Sequence, residues 1–188
     1  VDGSVDPVRD KSIIDTELLL KDIETVENRL EKLRKAAKSA DKKAIKELEY
    51  GEKILEHLES ERPARSIDIN SDDFKELLDS MLLLTAKPIM YVLNVDEESV
   101  KSGNEHTKSI IPIIQAEKGQ HILISASIES DITELESIEE KLEFLEDMGL
   151  EEPGVHRVIR AAYDLLNLLT FFTAGEKEVR AWTIVDGM

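Results

Sequence analysis

The stretch that decides the fold is Lys87-Pro88-Ile89-Met90-Tyr91-Val92-Leu93-Asn94-Val95-Asp96-Glu97. Its short apolar run follows a proline and shows no polar alternation, a pattern typical of a strand that is buried on both faces. The strand ends in Asn94, Asp96 and Glu97, so polar side chains follow its carboxyl end. Ligands of open α/β sheets bind at that edge, and the stretch therefore predicts a ligand site as well as a strand.

A second short buried strand is predicted at residues 121–126, after a helix of crossover length that Asn104 can cap. A strand, a helix and a strand in this order form a βαβ unit with parallel strands. The carboxyl ends of the two strands would then bring Asn94 and Glu97 close to Ser125 and Ala126.

A helical hairpin is predicted between the chain start and the first strand. The break near residues 39–41 folds the second helix back on the first, and Arg62-Pro63 ends it. The result is an antiparallel coiled coil. Its two apolar seams are Leu19, Ile23, Val26, Leu30, Leu33, Ala37 and Ala40, followed by Ala44, Leu48, Gly51, Leu55 and Leu58.

The tip of this hairpin is basic, although the whole chain carries −17. Residues 29–46 contain eight Lys or Arg and two acidic residues, hence +6, which leaves −23 for the rest. The contrast in charge between the tip and the rest of the chain favours contacts of the tip with RNA phosphates. Residues 29–46 contain no aromatic side chain that could stack on bases, which favours contact with the RNA backbone over recognition of its sequence. The alternative is an ordinary solvated helix face. The contact candidates are Arg34, Lys35, Lys38, Lys42, Lys43 and Lys46.

The composition of the 188 residues sets further limits: 41% are hydrophobic and 35% are charged, as in a soluble helix-rich protein. The acidic balance argues against indiscriminate binding to nucleic acid or to a membrane surface, and no DNA sequence recognition is expected. There is no cysteine and no apolar run of membrane-span length, so a cytoplasmic location is expected.

After the second strand, Ser137 and Glu140 have capping-box spacing, and an amphipathic helix follows over residues 155–169. The spacing of apolar residues then changes from a helical to a strand-like pattern. Residues 171–173 and 179–185 predict a β-hairpin with which a new domain begins.

The pair Asn94 and Glu97 has the N-x-x-E spacing with which P-loop GTPases hold a purine base. In those proteins the amide braces the loop and the base, and the carboxylate accepts ring N–H groups. The Ser125-Ala126 loop would offer backbone N–H groups to the base edge. The alternative is structural: Asn94 closes a turn and Ser125 caps a helix.

Three segments together resemble the YchF / Obg-like ATPase family: residues 1–10, 87–97 and above all 171–184, FFTAGEKEVRAWTI. The resemblance implies the C-terminal part of a P-loop NTPase parallel α/β sheet, an inserted coiled-coil hairpin and the start of a β-rich TGS domain. The nucleotide-binding domain would then comprise residues 1–20 and 85–170, and the hairpin would comprise residues 21–62. A connecting helix would occupy residues 63–84, and the TGS domain would start with residues 171–188.

The resemblance also implies a function: a ribosome-associated ATPase that hydrolyses GTP less well. The implied base-binding residues are Asn94, Val95, Glu97, Ser125 and Ala126. Ordinary GTPases carry N-K-x-D, and here Val95 and Glu97 replace the Lys and Asp, which should weaken guanine selection.

No G-x-x-x-x-G-K-[ST] or D-x-x-G element occurs in the chain. The phosphate- and Mg²⁺-binding residues are therefore expected upstream of Val1, with no catalytic residue or metal ligand in this piece, which is expected to be inactive alone. The alternative function is a non-catalytic module that binds RNA, the ribosome or a protein and carries a vestigial nucleotide pocket.

Overall fold

The computed structural model describes residues 4–38 and 41–187, and the chain divides into two compact units. One is helical and comprises Val8–Pro88; the other contains Ile89 onward and the few residues before Val8. In sequence, the helical unit is thus inserted into the other one. The predicted boundary at residues 20 and 21 falls within helix α1, Pro7–Ala37. Pro7 starts this helix, since its fixed φ suits the first helical position.

The helical unit is built on the hairpin of α1 with α2, Lys42–Glu59. The predicted turn residues Ser39 and Ala40 lie outside the described residues. Gly51 allows the helices to approach closely, because a Cβ there would lie 2.6 Å from Leu30 Cδ2. The seam is buried largely as predicted, except that Ile54, not Leu55, is the fully buried residue of its turn; the buried seam residues are Val26, Leu30, Leu33, Ala44, Gly51 and Leu58.

Helix α3, Asp72–Ser80, packs in the same core and is capped by the Ser71 hydroxyl, which accepts from the Phe74 N–H. Leu77 and Leu78 are buried in this core together with Phe74. Leu82 has the apolar character and spacing of this face but lies outside the core. It is 80% exposed because the backbone turns left-handed there, with φ 52°, just after the helix ends.

A buried carboxylate joins α1 to the segment that follows α3. Asp22 is 1% exposed, and its two oxygens accept the N–H groups of Leu84 and Thr85, each at 2.7 Å. Hydrogen bonds of this kind satisfy backbone donors that would otherwise be buried without a partner.

The second unit contains the predicted βαβ element. Strand β1, Met90–Asn94, pairs in parallel with β2, Gln120–Ile124, and helix α4, Glu105–Ala116, connects them. Asn104 caps α4 in a capping box with Thr107. The expectation that β1 is buried on both faces is wrong, because Val92 is 43% exposed. Alternate residues of a strand face opposite sides, and the side that bears Val92 is not fully covered by the described residues.

Three more helices follow β2: α5 Ala126–Glu134, α6 Ile138–Asp147 and α7 Gly154–Leu165. The capping box of Ser137 and Glu140 is present at α6. Helix α7 ends four residues earlier than predicted, since Asn167 is left-handed with φ 50° and turns the chain into β3, Leu168–Ala174. The predicted hairpin forms from β3 and β4, Val179–Val185, in antiparallel register.

Within residues 4–38 and 41–187, none of the helices combines the length and the apolar character that a membrane span requires.

Candidate functional site

The carboxyl ends of β1 and β2 lie side by side. Asn94 and Ile124 are register partners, and the Val95 N–H donates to the Ile124 carbonyl at 2.9 Å. The two loops that leave the sheet here carry Asn94 and Glu97 on one side and Ser125 and Ala126 on the other. The structure thus brings these four predicted site residues together.

Asn94 connects the two loops. Its Oδ1 accepts the N–H of Ala126, the first residue of α5, at 3.0 Å. This bond uses the amide oxygen and orients the side chain, while the Asn94 side chain stays exposed at the sheet edge. The bond to Ala126 does not use the N–H donors of Nδ2, so the turn-closing role considered above is compatible with donation to a ligand.

Glu97 is held by a second connection between the loops. The Ser127 hydroxyl donates to Glu97 Oε1 at 2.9 Å, and the Ser125 and Ser127 hydroxyl oxygens are 3.0 Å apart. Ser125 is buried, at 1% exposure, whereas Glu97 and Ser127 face solvent. Ser127 therefore connects the buried Ser125 to Glu97, although it is not among the predicted base-binding residues.

Between them, Val95 and Asp96 have structural roles. The Val95 side chain packs against the buried cluster of Val100, Ile128, Ile132 and Leu145, so it points away from the polar groups. The Asp96 carboxylate accepts the Ser99 N–H at 2.9 Å and caps the short 3-10 helix Glu97–Ser99. Hydrogen bonding by Ser99 lowers the pKa of Asp96. Of the two adjacent acids, Glu97 is the one directed at the opposite loop.

A further connection, which sequence reasoning missed, runs from α5 to the start of α7. Glu129 Oε1 accepts the Gly154 N–H at 2.6 Å and Oε2 accepts the Val155 N–H at 3.2 Å. Since Pro153, the residue before α7, provides no side-chain cap, the carboxylate of another helix does so and also matches the helix dipole. In the sequence, this connection is indicated only by the Pro153-Gly154 start of the helix, which lacks a capping side chain and so needs an acceptor from elsewhere.

Replacing Glu129 by alanine is expected to lower the free energy of unfolding of this chain by about 1–2 kcal/mol, because two N–H groups at the start of α7 lose their acceptor. Urea unfolding followed by circular dichroism measures this change. Glu134→Ala is the matched control, since Glu134 is an exposed acid at the end of the same helix. Equal effects of the two substitutions would contradict the capping role.

The basic tip is less positive in the structure than in the sequence, because acids from outside residues 29–46 pair with it. Glu47 lies 3.7 Å from both Arg29 and Lys43, and Glu52 lies 3.4 Å from Arg34. Of the other predicted contact residues, Lys35 pairs with Glu31, and Lys46 pairs with Asp73 at 2.5 Å, a hydrogen bond that raises the pKa of Lys46. Lys38 and Lys42 form no ion pair with a described residue.

No group of three or more histidine, aspartate or glutamate side chains that could hold a metal ion occurs in the described part of the chain. Among these residues there is accordingly no set of side chains that fits Mg²⁺.

Known proteins match the chain along its full length. It is 48% identical over 190 residues to the protein of Bacillus subtilis named ribosome-binding ATPase YchF, and 46% identical over 187 residues to the Pasteurella multocida protein of the same name. The chain is homologous to the YchF proteins. Each match covers 100% of the chain and 51% of the relative, so the chain spans about half the length of these YchF relatives. The predicted YchF resemblance is thereby confirmed.

Among solved structures, the YchF GTPase of Schizosaccharomyces pombe matches with a TM-score of 0.87 and 34% identity, over 100% of this chain and 51% of that one. The match confirms the predicted fold class, a parallel α/β sheet with an inserted helical hairpin. No protein-family model matches the chain.

Proposed function

We propose that this chain is part of a cytoplasmic, ribosome-associated P-loop ATPase of the YchF type and carries the base-recognition half of its nucleotide site. The observation that supports this most strongly is the pair of connections across the sheet edge, Asn94 to Ala126 and Glu97 to Ser127, at 3.0 and 2.9 Å. They hold an amide donor and a carboxylate acceptor together at the edge where α/β sheets bind ligands. The matches to relatives whose names describe an ATPase span the whole chain, and therefore include this segment.

The proposed roles follow from hydrogen-bond chemistry. The Asn94 amide offers N–H donors to the acceptor N7, which every purine carries, and Glu97 accepts from the amino group of the base. The Ser125-Ala126 loop surrounds the base edge, and Val95 supports the loop through its packing. A glutamate where guanine-selective enzymes have aspartate favours ATP over GTP, because the longer side chain does not keep the paired geometry that guanine needs.

Phosphate binding, Mg²⁺ binding and hydrolysis are assigned to the part of the longer protein that this chain does not contain. When bound with ATP, Mg²⁺ would neutralise charge on the phosphates. The residues of this chain hold and orient the base only.

Equilibrium titration of the full-length protein with non-hydrolysable ATP and GTP analogues in the presence of Mg²⁺ tests this function. Both analogues are expected to bind, and the ATP analogue is expected to have the lower Kd. If neither analogue binds, the chain belongs instead to a binding module without nucleotide chemistry.

Binding of the ribosome is assigned to the hairpin tip. Lys38 directly follows α1, Lys42 is the first residue of α2, and the Lys43 side chain is 75% exposed in spite of its pairing with Glu47. Long cationic side chains at the end of a helical hairpin suit the phosphate backbone of ribosomal RNA.

Reversing the charge at Lys38, Lys42 and Lys43 to glutamate is expected to lower ribosome affinity at least about tenfold at moderate salt and to flatten its salt dependence, since fewer counterions are released. Co-sedimentation with ribosomes over a salt series measures both. The matched control reverses the exposed Lys75, Lys118 and Lys177, which changes the net charge equally. If both triple variants lose the same affinity, net charge and not the tip accounts for binding.

A further inference from the structure

Three hydroxyl and carboxylate groups at the sheet edge form a chain with a fixed direction. Ser127 has a single hydroxyl hydrogen, and it is donated to Glu97 Oε1 at 2.9 Å. In the 3.0 Å contact between the two serines, the buried Ser125 must therefore be the donor and Ser127 the acceptor. The chain runs from Ser125 through Ser127 to Glu97. Its buried end fixes the position of Ser127, and Ser127 in turn fixes one oxygen of Glu97.

We propose that Ser127 is a positioning residue that sets the base specificity of this site, by leaving Glu97 one free oxygen for the base. This inference rests on the proposed function. Glu97 Oε1 already accepts a hydrogen from Ser127, and no described residue donates to Oε2. The carboxylate is held so that Oε2 is the atom available to a ligand.

The two purines differ in what they present to that oxygen. Guanine presents two adjacent donors, N1–H and the 2-amino group, and binds best to a carboxylate that offers both oxygens side by side. Adenine presents one donor, the 6-amino group, next to the acceptor N1, which a second carboxylate oxygen would repel. A glutamate with one oxygen held by Ser127 matches the single donor of adenine.

Asn94 does not produce this selectivity in the proposed binding mode, because its oxygen is bound to Ala126 and its amino group would donate to N7, an acceptor common to both purines. Ser125 is buried and reaches Glu97 only through Ser127. The difference between adenine and guanine is therefore expected to depend on Ser127, whereas Asn94 contributes affinity for both.

The test is the ratio of the two dissociation constants, GTP analogue over ATP analogue, measured by isothermal titration calorimetry on the full-length protein with Mg²⁺. Ser127→Ala is expected to lower this ratio about fivefold to tenfold, since a charge-assisted hydrogen bond is lost and Glu97 becomes free to turn both oxygens to guanine. Ser127→Thr retains the hydroxyl and should restore most of the ratio. Ser130→Ala, an exposed serine one turn further along α5, should leave it unchanged.

A ratio that stays constant in Ser127→Ala would overturn the proposal, whether the two affinities remain the same or fall together. An equal fall would mean that Ser127 only stabilises the loop. Failure of the proposed function looks different, because the wild-type protein would then bind neither analogue.

Discussion

Replacing Asn94 by alanine in the full-length protein is expected to weaken the ATP and GTP analogues by a similar factor, at least about tenfold, which corresponds to about 1.4 kcal/mol. Two effects combine. The purine loses the amide donor, and the Ala126 N–H loses the acceptor that holds the second loop at 3.0 Å.

Calorimetric titration of both analogues measures this effect. Asn70→Ala is the control, since Asn70 is an exposed asparagine of the helical unit. Unchanged affinity in the Asn94 variant would mean that the residue only closes a turn.

Replacing Asp22 by alanine is expected to lower the free energy of unfolding of the helical unit by about 2–4 kcal/mol, the largest stability effect of a single polar side chain proposed here. The carboxylate is buried and accepts two backbone N–H groups at 2.7 Å. Removing it takes the acceptor away from both donors, and the Thr85 N–H is then left buried without a partner, since Thr85 is 3% exposed.

Urea unfolding measures the loss of stability, and amide hydrogen exchange at Leu84 and Thr85 localises it, because both amides should lose protection. Glu27→Ala removes the same charge from an exposed position of α1 and serves as the control. A loss no greater than that of the control, with protection retained at both amides, would contradict the role of Asp22.

The elements that depend on local pattern were predictable from the sequence. The heptad seams identified the hairpin, and the capping residues Asn104 and Ser137 marked helix starts that the structure contains. The parallel pair followed from the length of the crossover, and it placed Asn94 beside Ala126. These features have a signal within a short window of residues, because propensity, capping and periodicity act over one or two helical turns.

The features that were missed depend on residues far apart in the chain. Asp22 bonds to residues more than 60 positions away, and Glu129 caps a helix that begins 25 positions later. Neither carboxylate differs in local pattern from the many acids on helix surfaces. The charge of the tip was overestimated for the same reason, since Glu52 and Asp73 lie outside the basic segment in sequence and pair with it in space.

We propose above all that the sheet edge formed by Asn94, Glu97 and Ser127 binds the adenine base. A crystal structure of the full-length protein with a non-hydrolysable ATP analogue and Mg²⁺ tests it most directly. We expect the Asn94 amide to contact N7 of the adenine and the 6-amino group to contact Glu97, with Ser127 still bound to the other carboxylate oxygen. A base that lies elsewhere, with these side chains in contact only with one another, would contradict it.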